Sequence, residues 1–197
     1  NLLGAPYIPE VIKLQERIKQ EHGKKKFLVG GQVVSGLSSC QLKKLFGSST
    51  YNGNDDSTLA NVLDIDEKEL ISSEQTSLIP AYERLDDEIM KEYLSREFSL
   101  YISQGCKFSC DFCAAVRTYK DPETDQIIKV KEAYRNTDII KADLSYLVGK
   151  AKYFGLDELQ LYMSNLDVFQ TPPQLLKFAY IVQEVQQSNP NFKIRLR

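Results

Sequence analysis

The sequence predicts an α/β protein in which parallel strands alternate with helices, and three observations carry that reading. Apolar strand segments recur at Phe27-Leu28-Val29, at Phe98, Leu100 and Ile102, and at Leu159, Leu161 and Met163. Between them lie segments whose apolar residues repeat at intervals of three and four, the period of a helix packed on one face. Glycine, asparagine and proline punctuate the changes of period, and alternation of this kind implies a parallel sheet with helices on its faces.

Taken in order, Pro9 suits the first turn of a helix, Val11, Leu14 and Ile18 share its inner face, and Gly23 ends it. The strand 27–29 finishes in Gly30-Gly31, where a backbone without Cβ can approach a ligand closely or simply turn. Ser38 is placed to cap a second helix with Leu42 and Leu45 inward and Gly47 as its stop. Cys40 on that helix reads as a small, buried apolar residue. Ser49-Thr50-Tyr51 is a weak strand, and Asp55-Asp56-Ser57 opens a third helix through Leu59, Val62 and Leu63. Residues 1–66 thus make a first α/β domain. Residues 67–94 are acid-rich, interrupted by Ser72-Ser73, Pro80 and Asp86-Asp87-Glu88, with a helical turn at 89–94; they read as an inter-domain connection on the surface.

From residue 95 the alternation resumes. The strand through Phe98, Leu100 and Ile102 runs into Gln104-Gly105, and a cysteine-bearing loop continues to about Val130. A helix then buries Ile140, Leu144, Leu147, Val148, Ala151 and Phe154 and is capped by Gly155. The strand of Leu159, Leu161 and Met163 exits at Ser164-Asn165. Thr171-Pro172 form an N-cap and first-turn pair for a helix with Leu175, Phe178, Ala179 and Val182 inward, and 192–197 is a third strand. In that strand Arg195 and Arg197 alternate with Leu196, and the sequence leaves open which face they take. A strand followed by nothing, and a start without an initiator Met, read as two cut ends.

Composition removes several classes of function. The 197 residues are 42% hydrophobic and 26% charged with a formal net charge of −2, so no general nucleic-acid surface is expected. Lys24-Lys25-Lys26 reads as a solvated strand entrance. No stretch approaches the length of a bilayer span, and no leader is recognisable, so the expected location is the cytoplasm, without membrane partners. Four cysteines, three of them within eight positions, do not form a disulfide scaffold; they point to a metal site in a reducing compartment.

Those three, Cys106, Cys110 and Cys113, have the form C-x3-C-x2-C. Thiolates are soft ligands suited to zinc or iron–sulfur. A closed zinc site wants four ligands, and His22, the only histidine, is far away in sequence. A bacterial ferredoxin would use C-x2-C-x2-C and a further cysteine before proline. Three thiolates on a 4Fe–4S cube leave one iron open to a small chelate, and the amino and carboxylate groups of a methionine moiety would fit that vacancy. The loop also follows a strand at its carboxyl end, where barrel and open α/β folds place their sites.

Gly105 to Cys113, following the strand 98–103, resembles the signature of the radical S-adenosylmethionine (radical SAM) superfamily, including an aromatic residue, Phe112, before the last cysteine. The resemblance implies that Cys106, Cys110 and Cys113 hold a 4Fe–4S cluster with SAM on its unique iron. It also implies reductive cleavage of SAM to methionine and a 5′-deoxyadenosyl radical, and a reductant such as flavodoxin or ferredoxin. Phe112 would lie near the adenine. In the family a Gly-Gly-Glu-like or diacidic loop after the second barrel strand meets the methionine amino group. Here Ser164-Asn165-Leu166-Asp167 stands at that place and departs from both forms. Ser164 and Asn165 would hydrogen-bond SAM and Asp167 would supply the charge, or all three simply form a strand exit.

Residues 26–32 and 51–59, with the phrase Ile79-Pro-Ala-Tyr-Glu-Arg-Leu-Asp86, resemble the rear half of a cobalamin-binding-type Rossmann domain and its linker in one branch of that superfamily. The combined expectation is a partial Rossmann-like domain at 1–66, the connection at 67–94, and from 95 to 197 the first part of a radical SAM (β/α)6 partial TIM barrel. Too few residues follow Cys113 to complete that barrel, so this piece by itself is expected to be inactive. No Asp-x-His-x-x-Gly cobalt-ligand motif is present, and His22 at a helix end is explained by the helix dipole. Cobalamin is thus carried as a conditional cofactor beside the cluster and SAM. The favoured activity is a transferase-type methylation, or a rearrangement, of a small-molecule substrate. The alternatives are methylthio transfer to RNA or protein, for which the resembling family would need a front cysteine triplet where only Cys40 is found, and a non-catalytic zinc or iron–sulfur module.

Overall fold

A computed structural model describes residues 5–23, 25–31, 34, 37–47, 50–51, 56–108, 110, 113, 124, 126, 132–165, 167 and 169–197. The chain is mixed α/β and divides into two compact units, Asn1–Leu70 with Lys107–Val130, and Ile71–Cys106 with Lys131–Arg197. Among the described residues no helix is long and apolar enough to cross a membrane.

The first unit follows the helix and strand alternation. Helix α1 (Ile8–His22) has Pro9 in its first turn and ends at Gly23, whose φ of +70° favours a residue without Cβ. Strand β1 (Val29–Gly30) pairs in parallel with β2 (Thr50–Tyr51), Val29 opposite Thr50. Helix α2 (Ser39–Phe46) lies between them in sequence, and α3 (Asp56–Leu63) follows. The start of α2 is a reciprocal cap: Ser38 Oγ accepts from the Gln41 amide at 3.3 Å, and Gln41 Oε1 accepts from the Ser38 amide at 2.9 Å. Val29, Val34, Leu42 and Phe46 form the core, with Ile8, Val11, Ile12, Leu37 and Leu45 packed against it.

Two expectations fail in this unit. Leu14, read as an inner residue of α1, is 44% exposed, because the contacting face is set by Ile8, Val11 and Ile12. Cys40, read as buried, is exposed. It lies about 200° around the helix from Leu42, so it points away when Leu42, Leu45 and Phe46 point inward.

The second unit is built on a three-stranded parallel sheet of β3 (Phe98–Tyr101), β6 (Glu158–Ser164) and β7 (Lys193–Leu196), in that order. Neighbours in the sheet are consecutive strands joined through helices α6 (Thr137–Tyr153) and α7 (Pro172–Gln187). A short antiparallel pair, β4 (Ser103–Gln104) with β5 (Ala133–Tyr134), interrupts the first connection. The stretch 67–94 read as a connection holds helix α4 (Ile79–Tyr82) and most of α5 (Asp87–Ser95), and α5 places Met90 and Leu94 in the core.

That core is one apolar sheet face against helices. Phe98, Leu100, Leu159 and Leu161 meet Ile140, Leu144, Leu147, Val148 and Ala151 of α6 and Phe178, Ile181 and Val185 of α7. Burial of each large side chain contributes roughly 1.5–3 kcal/mol. The inner face of α7 is rotated from the sequence reading: Ile181 and Val185 are buried, whereas Ala179 is exposed. Period two puts the intervening strand residues on the opposite face. Arg195 sits in register with Gln160 there; its Nε donates to Glu158 Oε2 at 3.0 Å, and Arg197 donates to Glu97 Oε2 at 3.3 Å. Both arginines therefore take the face away from the apolar core.

A buried ion pair fastens residues 76–78 to this sheet. Arg135 donates to Asp143 Oδ2 at 2.7 Å, both side chains being fully inaccessible. Its other donors reach the carbonyls of Tyr101 at 2.9 Å and Thr76 at 2.6 Å. Asp143 accepts in addition from Ser77 Oγ at 2.6 Å and the Leu78 amide at 3.2 Å.

Tyr82 packs edge-on against Phe98 and stacks on Tyr146, with ring centroids 5.3 and 6.3 Å away. Its hydroxyl is buried without a hydrogen-bond partner. Burial first, and then Asp143, push its pKa up to about 12, with Arg135 opposing. The phenol is thus ionised at lower pH in the unfolded chain than in the folded one, and the unfolded state holds fewer protons between pH 10 and 12. Stability present below pH 10 is lost across that window. A melting-temperature profile against pH should fall steeply there, and Tyr82→Phe should flatten the fall; an unchanged profile in the variant would assign the loss to other groups.

Candidate metal and cofactor site

Strand β3 leads through Ile102 and β4 to the cysteine loop. Gly105 precedes Cys106 with φ of +89°, a left-handed conformation that glycine adopts without a Cβ clash. This turn takes the chain off the ladder. The Gly105 carbonyl accepts from Nε2 of the buried Gln170 at 3.4 Å, so the residue before the first cysteine is tied to the segment after β6.

Cys106 is half-buried and belongs to the second unit. Cys110, exposed, and Cys113, half-buried, belong to the first. The Cys113 amide donates to the Cys110 carbonyl at 3.0 Å, a tight turn that brings the last two cysteine backbones close together. All three are free thiols, as a metal ligand must be. Among the described residues no three Cys, His, Asp or Glu side chains are gathered as a metal cage. The fit to a cluster therefore rests on the donor set: three free soft thiols of one loop, with the exposed Cys40 on α2 as the remaining cysteine.

The SAM-ligand candidates fall differently. Phe112 lies outside the described residues. Ser164 ends β6, half-buried, and its carbonyl accepts from the Ile102 amide at 3.2 Å, extending the β3–β6 ladder. Asn165 follows, and its side-chain Nδ2 is buried without an acceptor among the described residues. An orphaned buried donor costs about 1–3 kcal/mol unless something meets it, so a ligand oxygen at this strand exit would be well matched. Asp167 is half-buried, and one carboxylate oxygen accepts from the Phe169 amide at 2.9 Å, closing its own turn. The strand-exit reading thus accounts for part of Asp167, while Asn165 retains an unmet donor that suits a ligand.

Sequence reasoning missed Glu132. It lies one residue beyond the last rung of the β4–β5 pair, beside Gly105, and Ser103 Oγ donates to its Oε1 at 2.9 Å. Thr171 Oγ1 donates to its Oε2 at 2.8 Å. Thr171 stands at the N-cap of α7 but its side chain makes no cap hydrogen bond: the next two residues are prolines without an N–H, and the Gln174 amide bonds to the Thr171 carbonyl. The Tyr134 hydroxyl is buried close by, outside hydrogen-bonding geometry. Burial first, then Glu132, hold the Tyr134 phenol well above its ordinary range.

No known protein family and no curated protein matches the chain.

Proposed function

We propose that the chain is part of a radical SAM enzyme, in which Cys106, Cys110 and Cys113 hold a 4Fe–4S cluster and Ser164, Asn165 and Asp167 line the place taken by SAM. The observation that carries the reading is the C-x3-C-x2-C spacing of three free thiols that follow β3 of the parallel sheet, with the short β4 between. The finer fold belongs to the same reading: residues 95–197 as the opening strands and helices of a (β/α)6 partial barrel, and 1–66 as part of a cobalamin-binding-type Rossmann domain. Sheet order β3–β6–β7, with consecutive parallel neighbours, supports the first of these.

When bound, the cluster and SAM supply the one-electron cleavage that yields a 5′-deoxyadenosyl radical, the chemistry belonging to the cofactor. The chain's own residues bind and orient. Gly105 turns Cys106 out of the ladder, the Cys110–Cys113 turn sets the spacing of two thiols, and Asn165 Nδ2 offers a donor to a ligand oxygen. The substrate class proposed is a small molecule, methylated or rearranged, and the free thiols suit a reducing, cytoplasmic setting.

The test is anaerobic reconstitution of the chain with iron and sulfide, reduction with dithionite, and electron paramagnetic resonance with and without SAM. The expected result is a 4Fe–4S signal that shifts when SAM is added. Stoichiometric zinc with no iron would instead make the loop a non-catalytic metal module.

A further inference from the structure

We propose that Glu132 forms the acceptor site for an aliphatic ammonium group at the carboxyl edge of the three-stranded sheet. The carboxylate is half-buried and held only by neutral donors, Ser103 Oγ on one oxygen and Thr171 Oγ1 on the other. No ion pair among the described residues involves it. The nearby guanidinium in sequence, Arg135, is committed to Asp143. A carboxylate withdrawn from water with no cation beside it is an attractive place for one.

The surrounding atoms narrow the chemistry of that cation. Ser103 and Thr171 each donate their one hydroxyl proton to Glu132; Ser103 is buried and Thr171 half-buried, so Thr171 Oγ1 is the more open acceptor oxygen beside the carboxylate. The Tyr134 hydroxyl is buried beside the carboxylate and is held protonated by burial and by that charge, so it adds a neutral group and no further charge. The site is therefore a single negative charge set among neutral hydroxyls. An –NH3⁺ group, with three donors and no acceptor, is its complement. A hard divalent cation would call for six or more oxygens and commonly more than one carboxylate, and a single charged ligand is here. The position is equally specific. Glu132 flanks Gly105, the residue before Cys106, and Thr171 closes the segment after β6 that also contains Asn165.

An ammonium at this place has two sources. One is the α-amino group of SAM, and that arm rests on the radical SAM reading. The other is the amine of a separate small molecule, which does not. Glu132→Gln keeps the shape and an acceptor oxygen while removing the charge. On the cluster-loaded chain, anaerobic titration should show the Glu132→Gln dissociation constant for SAM raised about tenfold or more, the range of a charge-assisted hydrogen bond. The affinity for an SAM analogue lacking the α-amino group should not change. In parallel, n-butylammonium is observed by saturation-transfer NMR on the chain without cluster; a signal present in the wild type and lost in Glu132→Gln, with SAM affinity unaltered, assigns the site to the second source.

SAM and n-butylammonium both binding the variant as they bind the wild type would overturn the proposal. A wild type that binds no SAM sinks the radical SAM reading alone, and the n-butylammonium arm still decides the site. Loss of both SAM and its deamino analogue in Glu132→Gln would signal a damaged fold. Glu132→Asp then replaces it: the charge is kept, so SAM must still be preferred over the deamino analogue, and equal affinities count against the site.

Discussion

Asp143→Ala is expected to lower the stability of the chain by about 3–5 kcal/mol, the cost of stripping one partner from a buried ion pair. Three groups are stranded at once. The Arg135 guanidinium keeps its charge in a place fully closed to water, and the Leu78 amide and Ser77 hydroxyl lose their acceptor. Water cannot repair this without opening the core, because Ile140, Leu144 and Leu147 of α6 surround the same helix face. Urea denaturation measures the loss. Arg135→Met should also destabilise, by removing the donors to Tyr101, Thr76 and Asp143 together. The double variant Arg135→Met with Asp143→Leu should recover only the part of the loss due to the unpaired charge, since the Leu78 amide, the Ser77 hydroxyl and the Tyr101 and Thr76 carbonyls stay without their partners. Hydrogen exchange should localise the damage: the Leu78 and Asn136 amides, which bond to Asp143 and the Glu74 carbonyl, should lose protection first. A loss below about 1 kcal/mol in Asp143→Ala would mean that the pair is solvated and weak, as exposed pairs are.

The stretch 67–94 reads from its sequence as a surface connection, and the ion pair ties residues 76–78 of it to a buried site. Asp86-Asp87-Glu88, Ser72-Ser73 and Pro80 are surface residues by composition, and a surface connection was the natural reading. What fixes residues 76–78 is distant in sequence: a guanidinium at 135 and a carboxylate at 143, each polar and each expected at the surface when considered alone. Pattern reading weighs residues by type, and a buried charge becomes visible only when its partner is placed. Helices α6 and α2 were legible for the opposite reason. Leu144, Leu147, Val148 and Ala151 repeat at helical spacing, and Ser38 with Gln41 is a local cap that needs no tertiary information. Helix α7 sits between. Its limits follow Pro172 and Asn189, but its inner face follows the sheet, which selects Ile181 and Val185 over Ala179.

The site divides along the same line. The cysteine spacing and its place after β3 are local and were readable. Glu132 was not, because a lone glutamate before a two-residue strand has no pattern of its own; only the antiparallel rung and the hydroxyls of Ser103 and Thr171 give it surroundings. Thr171 misled for a different reason. A threonine before proline is a sound N-cap signal, yet Pro172 and Pro173 have no N–H to offer the hydroxyl, and the Gln174 amide bonds to the Thr171 carbonyl instead.

Replacing any one of Cys106, Cys110 and Cys113 by serine is expected to abolish cluster loading, whereas Cys40→Ser should leave it intact. A serine hydroxyl is a harder and far less acidic ligand than a thiol, and two thiolates leave two irons of the cube without protein ligands. Altered groups that merely orient metal ligands cost about 10–100-fold in affinity, so losing a ligand itself should reduce bound iron by more than about tenfold. Iron and sulfide per chain, with the visible absorption of the reconstituted protein, measure this. The discriminating power lies in the comparison. Cys40 is exposed on α2 and more accessible to adventitious iron than the half-buried Cys106 and Cys113. Non-specific loading would therefore fall in Cys40→Ser as well. Specific loading requires three equal losses and one unchanged value, together with loss of the SAM-dependent spectral shift in each of the three. If one member of the triplet can be replaced without effect, the loop binds metal by a different ligand set, and the cluster assignment falls with it.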